Sequence, residues 1–129
     1  MRVHVIGSLE KPEFQAPVSI MAGVRIKQGS LGACGILKPF GSLETDEFTF
    51  GKAGEEAALY TLYAHNCRGE LIVNDQLILD ADTRHLNCAL ASRSGAIPCP
   101  IRVRLRGVNR SAVPVNGGVN ADIVSYKRV

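Results

Sequence analysis

The chain has 129 residues, 46% hydrophobic and 21% charged, with a formal net charge of +3. That balance excludes a disordered polyelectrolyte and describes residues 1–129 as a single β-rich domain with a core of its own. No stretch approaches the roughly 20 consecutive apolar residues of a membrane helix. The opening Met1-Arg2-Val3-His4-Val5-Ile6-Gly7 lacks an apolar run of signal-peptide length. The expected location is therefore a virion or the cytoplasm, or an extracellular appendage if a leader has been removed.

Arg2 to Ile6 alternates and reads as a first strand. Pro17 to Ile26 is rich in β-branched residues and runs into a turn signal, Gln28-Gly29-Ser30. Leu31 to Leu37 is a short apolar run stopped by Pro39, and Glu47 to Phe50 is a strand with Phe48 and Phe50 on one face. Between Ala53 and His65 two periods compete. Glu55, Glu56, Ala57, Ala58, Leu59 and Leu62 suit a helix, whereas Leu59, Thr61 and Tyr63 would share one face of a strand. Strand is slightly ahead from Ala58 onward.

Glu70 to Leu79 has two apolar arms around Asn74-Asp75, the composition of a tight hairpin. The strongest periodic signal is Ile101-Arg102-Val103-Arg104-Leu105-Arg106, which puts three apolar side chains on one sheet face and three arginines on the other. Pro114-Val115-Asn116-Gly117-Gly118 reads as a turn into a last strand, Asn120 to Lys127. Eight or nine short strands result, and the fold class is all-β, or mostly β with one short helix, as a β-sandwich, jelly roll or barrel.

Charge is unevenly placed along the chain. Residues 44–82 hold nine acids and two bases, and residues 83–129 hold eight bases and one acid. Folding either interleaves these blocks into surface pairs, or sets them on separate faces by which copies join head to tail. Arg102, Arg104 and Arg106 would stand about 7 Å apart on one face, with Arg110, Lys127 and Arg128 as extensions. This is the candidate interface or polyanion-binding surface. A solvated face is the plainer reading, and three like charges in a row call for acids opposite them. Trp is absent and the seven aromatics lie mainly in residues 40–63, so a sheet that stacks on nucleic-acid bases is not favoured.

The four cysteines, Cys34, Cys67, Cys88 and Cys99, are expected as free thiols, although an oxidising compartment would allow Cys88 and Cys99 to close a loop. His65-Asn66-Cys67 and His85-Leu86-Asn87-Cys88 offer two His/Cys pairs, a valid tetrahedral zinc set. Their spacings are not those of a common zinc finger, and no metal or cofactor is assigned. A cysteine beside His65 or His85 lacks a third orienting group, and no oxyanion loop or phosphate-cradling glycine motif is present.

Val3-His4-Val5-Ile6-Gly7, Phe40-Gly41-Ser42-Leu43, Asn66-Cys67 and Asn120-Ala121-Asp122 before Tyr126 resemble fragments of chaperone–usher pilins. The resemblance implies a Cys34–Cys67 disulfide in an exported fimbrial subunit; Cys88 and Cys99 have no counterpart in that pattern. The residues together favour a structural subunit that assembles with copies of itself and other assembly proteins, most simply a virion capsid, decoration or tail component without catalysis. The alternatives are the pilus-type subunit and a nucleic-acid-binding β-barrel using the arginine face.

Overall fold

The computed structural model describes residues 20–21, 24–84 and 86–128. Ten strands and no helix are found among them: β1 (Ile20–Met21), β2 (Val24–Leu37), β3 (Ser42–Glu44), β4 (Phe48–Phe50), β5 (Glu56–His65), β6 (Arg68–Val73), β7 (Gln76–Asp82), β8 (Cys88–Pro98), β9 (Ile101–Val108) and β10 (Val115–Arg128). They form two antiparallel sheets. Sheet A runs β1-β2-β10-β5-β8, and sheet B runs β3-β9-β6-β7, with β4 on the same edge of β9 as β3.

β2 and β10 pair without a break from Val24–Arg128 to Leu37–Val115. The turn expected at Gln28-Gly29-Ser30 is therefore absent, and the turn expected at Gly117-Gly118 lies inside β10. These glycines serve contact rather than chain reversal. A Cβ on Gly29 would stand 2.2 Å from the Phe50 ring, and one on Gly117 would stand 2.8 Å from Leu37 Cδ1. The first predicted strand, Arg2 to Ile6, lies outside the described residues.

Of residues 53–65, Glu56–His65 is strand, and 53–55 form a turn ahead of it. β5 carries a bulge at Ala58, where the register passes from Ala57 directly to Leu59 against both neighbouring strands. The bulge shifts the phase by one, so Ala57, Tyr60, Leu62 and Ala64 all turn inward. Ala57, Tyr60 and Ala64 then fall at intervals of three and four residues, which imitates a helix.

The hairpin at Asn74-Asp75 is as expected, and both residues have positive φ, 52° and 66°, as a type I′ turn requires. In β9, Ile101, Val103 and Leu105 are fully buried while Arg102, Arg104 and Arg106 face out. Both sheets fill the interior. Sheet A contributes Leu31, Leu37, Tyr60, Leu62, Val119 and Ile123 with the smaller Ala33, Ala57, Ala64 and Ala121, and sheet B contributes Leu43, Phe50, Leu71, Val73, Ile101, Val103 and Leu105.

Two buried polar groups pin connecting segments to the sheets. Thr45 bridges the gap between β3 and β4, accepting the Leu105 N–H on its hydroxyl at 2.9 Å and donating its own N–H to the Leu105 carbonyl. The Asn109 amide nitrogen donates toward the carbonyls of Lys38 (3.0 Å) and Val113 (2.7 Å), and its oxygen accepts from Ser111 N–H at 2.9 Å. The β9–β10 connection is thereby tied to the end of β2.

Gly29→Ala forces a methyl group into the buried Phe50 ring and should destabilise the chain by about 1–3 kcal/mol in urea melts; adding Phe50→Leu should recover part of the loss. Tyr60, which donates to the Ala57 carbonyl at 3.0 Å, has its phenol pushed from 10.0 to about 12 by burial. Its contribution is intact below pH 10 and is lost as pH rises toward 12. Tyr60→Phe should therefore flatten that part of the alkaline stability profile.

Candidate functional site

The predicted arginine face is the outer surface of sheet B, and each of its three arginines meets an acid from a neighbouring strand or its flanking turn. Arg102 pairs with Asp75 at 2.8 Å and lies 3.7 Å from Glu47. Arg104 pairs with Glu44, and Arg106 lies 3.5 Å from Glu70. Arg68 joins the same lattice through Glu70 (3.5 Å) and Asp80 (3.2 Å), and Arg110 reaches Asp82 at 2.5 Å. The acidic block of the sequence thus interleaves with the basic block on one face. The proposed extension does not hold together: Lys127 and Arg128 belong to β10 in sheet A, on the other side of the sandwich.

The outer surface of sheet A is different in kind. Its cross-strand rows read Ser30–Asp122–Thr61–Ser92, Gly32–Asn120–Tyr63–Leu90 and Cys34–Gly118–His65–Cys88. Asp122 is the one carboxylate in these rows, and it accepts a 2.6 Å hydrogen bond from Ser30. Large apolar side chains stand in solvent here: Leu90 is 70% exposed, Leu59 52% and Ile36 49%. Gly32 and Gly118 form the floor of a shallow trough of about 470 Å³ between Cys34, Tyr63, His65 and Asn120. Composition alone did not reveal this face, because its apolar residues are scattered over four strands far apart in sequence.

None of the four cysteines forms a disulfide. Cys34 lies on the exposed side of sheet A, whereas Cys67 is buried and directs its sulfur to the Gly118 carbonyl at 3.5 Å. The pairing implied by the pilin resemblance is therefore not made. Nor can Cys88 and Cys99 close a loop, because the 11-residue β8 separates them, a distance of roughly 35 Å when extended. Cys99 is buried against Gly51, and burial raises the thiol pKa of both Cys67 and Cys99 above the ordinary value.

The His/Cys pairs are also rearranged. His65 is divorced from Cys67 and faces Cys88 across the β5–β8 ladder, with Nδ1 3.6 Å from the sulfur. Tyr63 Oη lies 2.8 Å from the same sulfur, and this hydrogen bond raises the phenol pKa above its ordinary value. On the far side of the ring, Asn66 Nδ2 lies 3.2 Å from Nε2 and donates to the Asn116 carbonyl at 3.1 Å. As placed, the amide makes Nε2 the acceptor and leaves the ring hydrogen on Nδ1, pointing at the sulfur. An imidazole so arranged donates to Cys88 and does not take its proton. His85 lies outside the described residues.

A polar cleft of about 640 Å³ lies at the end of the sandwich where the β5–β6, β7–β8 and β9–β10 connections meet. Among the described residues, its charged walls are Arg68, Asp82, Arg84 and Arg110, and no Phe, Tyr or Trp lines it. Asp82 is already engaged, by Arg110 and by the Arg84 N–H at 3.1 Å. Among the described residues, no helix is long and apolar enough to cross a membrane.

No known protein family's profile matches the chain, and no curated protein resembles it in sequence. Solved structures do resemble it in shape. A chain of the cyanophage Pam1 capsid asymmetric unit superposes with a TM-score of 0.50 at 15% identity, over 88% of this chain and 94% of that one. A β-glucosidase from Kluyveromyces marxianus matches with a TM-score of 0.37 at 15% identity, over 77% of this chain and 10% of the enzyme. The C-terminal CBM6 module of the laminarinase LamC from Zobellia galactanivorans matches with a TM-score of 0.37 at 8% identity, over 94% and 91%. At such identities the likeness to the phage capsid chain is one of fold: a two-sheet antiparallel β-sandwich.

Because the sheet B charges are solvent-exposed pairs, Arg104→Ala should lower stability by less than about 1 kcal/mol, and raising the salt concentration should shrink the difference further. Paired denaturant melts at low and high salt check both statements.

Proposed function

We propose that the chain is a structural subunit that assembles with copies of itself and with other assembly proteins, most simply as a virion capsid, decoration or tail component, and that it acts by contact and not by catalysis. The observation that carries this reading is the asymmetry of the two faces. The outer surface of sheet B is a lattice of ion pairs, a surface at ease in water. Across β2, β10, β5 and β8, the described side chains on the outer surface of sheet A are nearly free of charge and include Leu59, Leu90, Ile36 and Tyr63. Depletion of charge with retained aromatic and aliphatic side chains is the composition of an interface centre.

The likeness in fold to a chain of a cyanophage capsid, over nearly the full length of both, supports the virion setting. The pilus alternative draws nothing from the four separated thiols. The nucleic-acid alternative relies on arginines whose charge is already met by acids of the same chain.

Sedimentation velocity over a wide concentration range tests the proposal. The wild-type chain should associate, and Leu90→Glu or Leu59→Glu should weaken association at least tenfold, with the far-ultraviolet circular dichroism unchanged. A strictly monomeric wild-type chain at the highest concentration would overturn the reading.

A further inference from the structure

His65 and Cys88 are direct partners in the β5–β8 ladder, both on the outer side of sheet A. Antiparallel pairing holds their Cα atoms about 5 Å apart, and the adjoining corner is pinned by the Asn66 N–H to the Asn87 carbonyl at 2.9 Å. The resulting separation of Nδ1 and Sγ is 3.6 Å. A tetrahedral ion with a metal–nitrogen bond of about 2.05 Å and a metal–sulfur bond of about 2.3 Å requires its two ligand atoms about 3.6 Å apart. The pair is therefore set at the bite of zinc before any metal arrives. We propose that His65 Nδ1 and Cys88 Sγ form a two-point surface site for a thiophilic d¹⁰ divalent cation of the zinc class.

Protons and neighbours are accounted for. On binding, the Cys88 thiol releases its proton to solvent and the sulfur takes the ion as thiolate. The His65 ring hydrogen moves from Nδ1 to Nε2, freeing the Nδ1 lone pair. Asn66, whose amide lies 3.2 Å from Nε2, turns its oxygen to accept that hydrogen and gives up its bond to the Asn116 carbonyl. This is the usual support of a metal-bound imidazole by an acceptor on its other nitrogen. Tyr63, 2.8 Å from the sulfur, donates to the thiolate and steadies it. Among the described residues no group of three or more His, Cys, Asp or Glu side chains is gathered. Two coordination positions therefore face outward, for water or for a side chain of whatever covers the sheet. The site stands on this geometry and is independent of the assembly reading.

The test uses the full chain under reducing conditions, titrated with Zn²⁺ by calorimetry and with Cd²⁺ by its sulfur-to-metal absorption band. One ion should bind per chain, or one per two chains where a second copy's pair completes the tetrahedron. His65→Ala and Cys88→Ser should each weaken binding at least tenfold, while Cys34→Ser, at the other exposed thiol, leaves it unchanged. Both ligands lie on the outer side of the sheet, and circular dichroism confirms that the variants fold. Asn66→Asp, with a carboxylate to accept the Nε2 hydrogen, should tighten binding. The proposal fails if the wild type shows no sulfur–cadmium band, or if binding survives loss of His65 or Cys88. Weaker or equal binding in Asn66→Asp would also overturn it, by placing the ion away from Nδ1.

Discussion

The structure depends on small and large side chains answering each other across its two layers. Gly29 of sheet A lies under Phe50 of sheet B, and Gly69 and Gly107 of sheet B lie against Val119 of sheet A, so each sheet leaves space that side chains of the other occupy. Packed interiors tolerate few voids and few overlaps. Gly29 beneath Phe50 is the sharpest instance, since no larger residue fits under that ring. The same economy on the inner side of sheet A leaves its outer side to be decided by other needs, and there the sequence has placed neutral and apolar residues.

The parts of the fold that were legible in the sequence are those where local pattern and tertiary role agree. Ile101 to Arg106 alternates because one side faces the core and the other faces acids. Asn74-Asp75 signals a turn because both residues tolerate the left-handed backbone that the hairpin demands. The failures have physical causes too. Gly29 and Gly117-Gly118 resemble turn punctuation, but long-range packing against Phe50 and Leu37 claims Gly29 and Gly117, and sequence spacing does not report that contact. In β5 a single bulged residue, Ala58, converts a two-residue period into one that mimics a helix.

The candidate sites were legible in the same uneven way. That Arg102, Arg104 and Arg106 share a face follows from periodicity; that Glu44, Glu70 and Asp75 lie beside them follows only from strand order. Strand order likewise moved Lys127 and Arg128 to the opposite layer and exchanged His65's neighbour in sequence, Cys67, for its neighbour in space, Cys88. Chemistry that depends on pairs across a ladder is invisible to spacing along a chain.

The position of β10 carries a temporal consequence. It is the latest of the ten strands in chain order, yet it lies in the interior of sheet A between β2 and β5, joining residues as distant as Ser30 and Asp122. Before it inserts, β2 and β5 have no common neighbour and each presents an unpaired edge. Such non-local closure is slow compared with hairpin formation. A nascent chain emerging from the ribosome therefore has no completed outer surface on sheet A until β10 has emerged. Any contact made through that surface has to wait for β10.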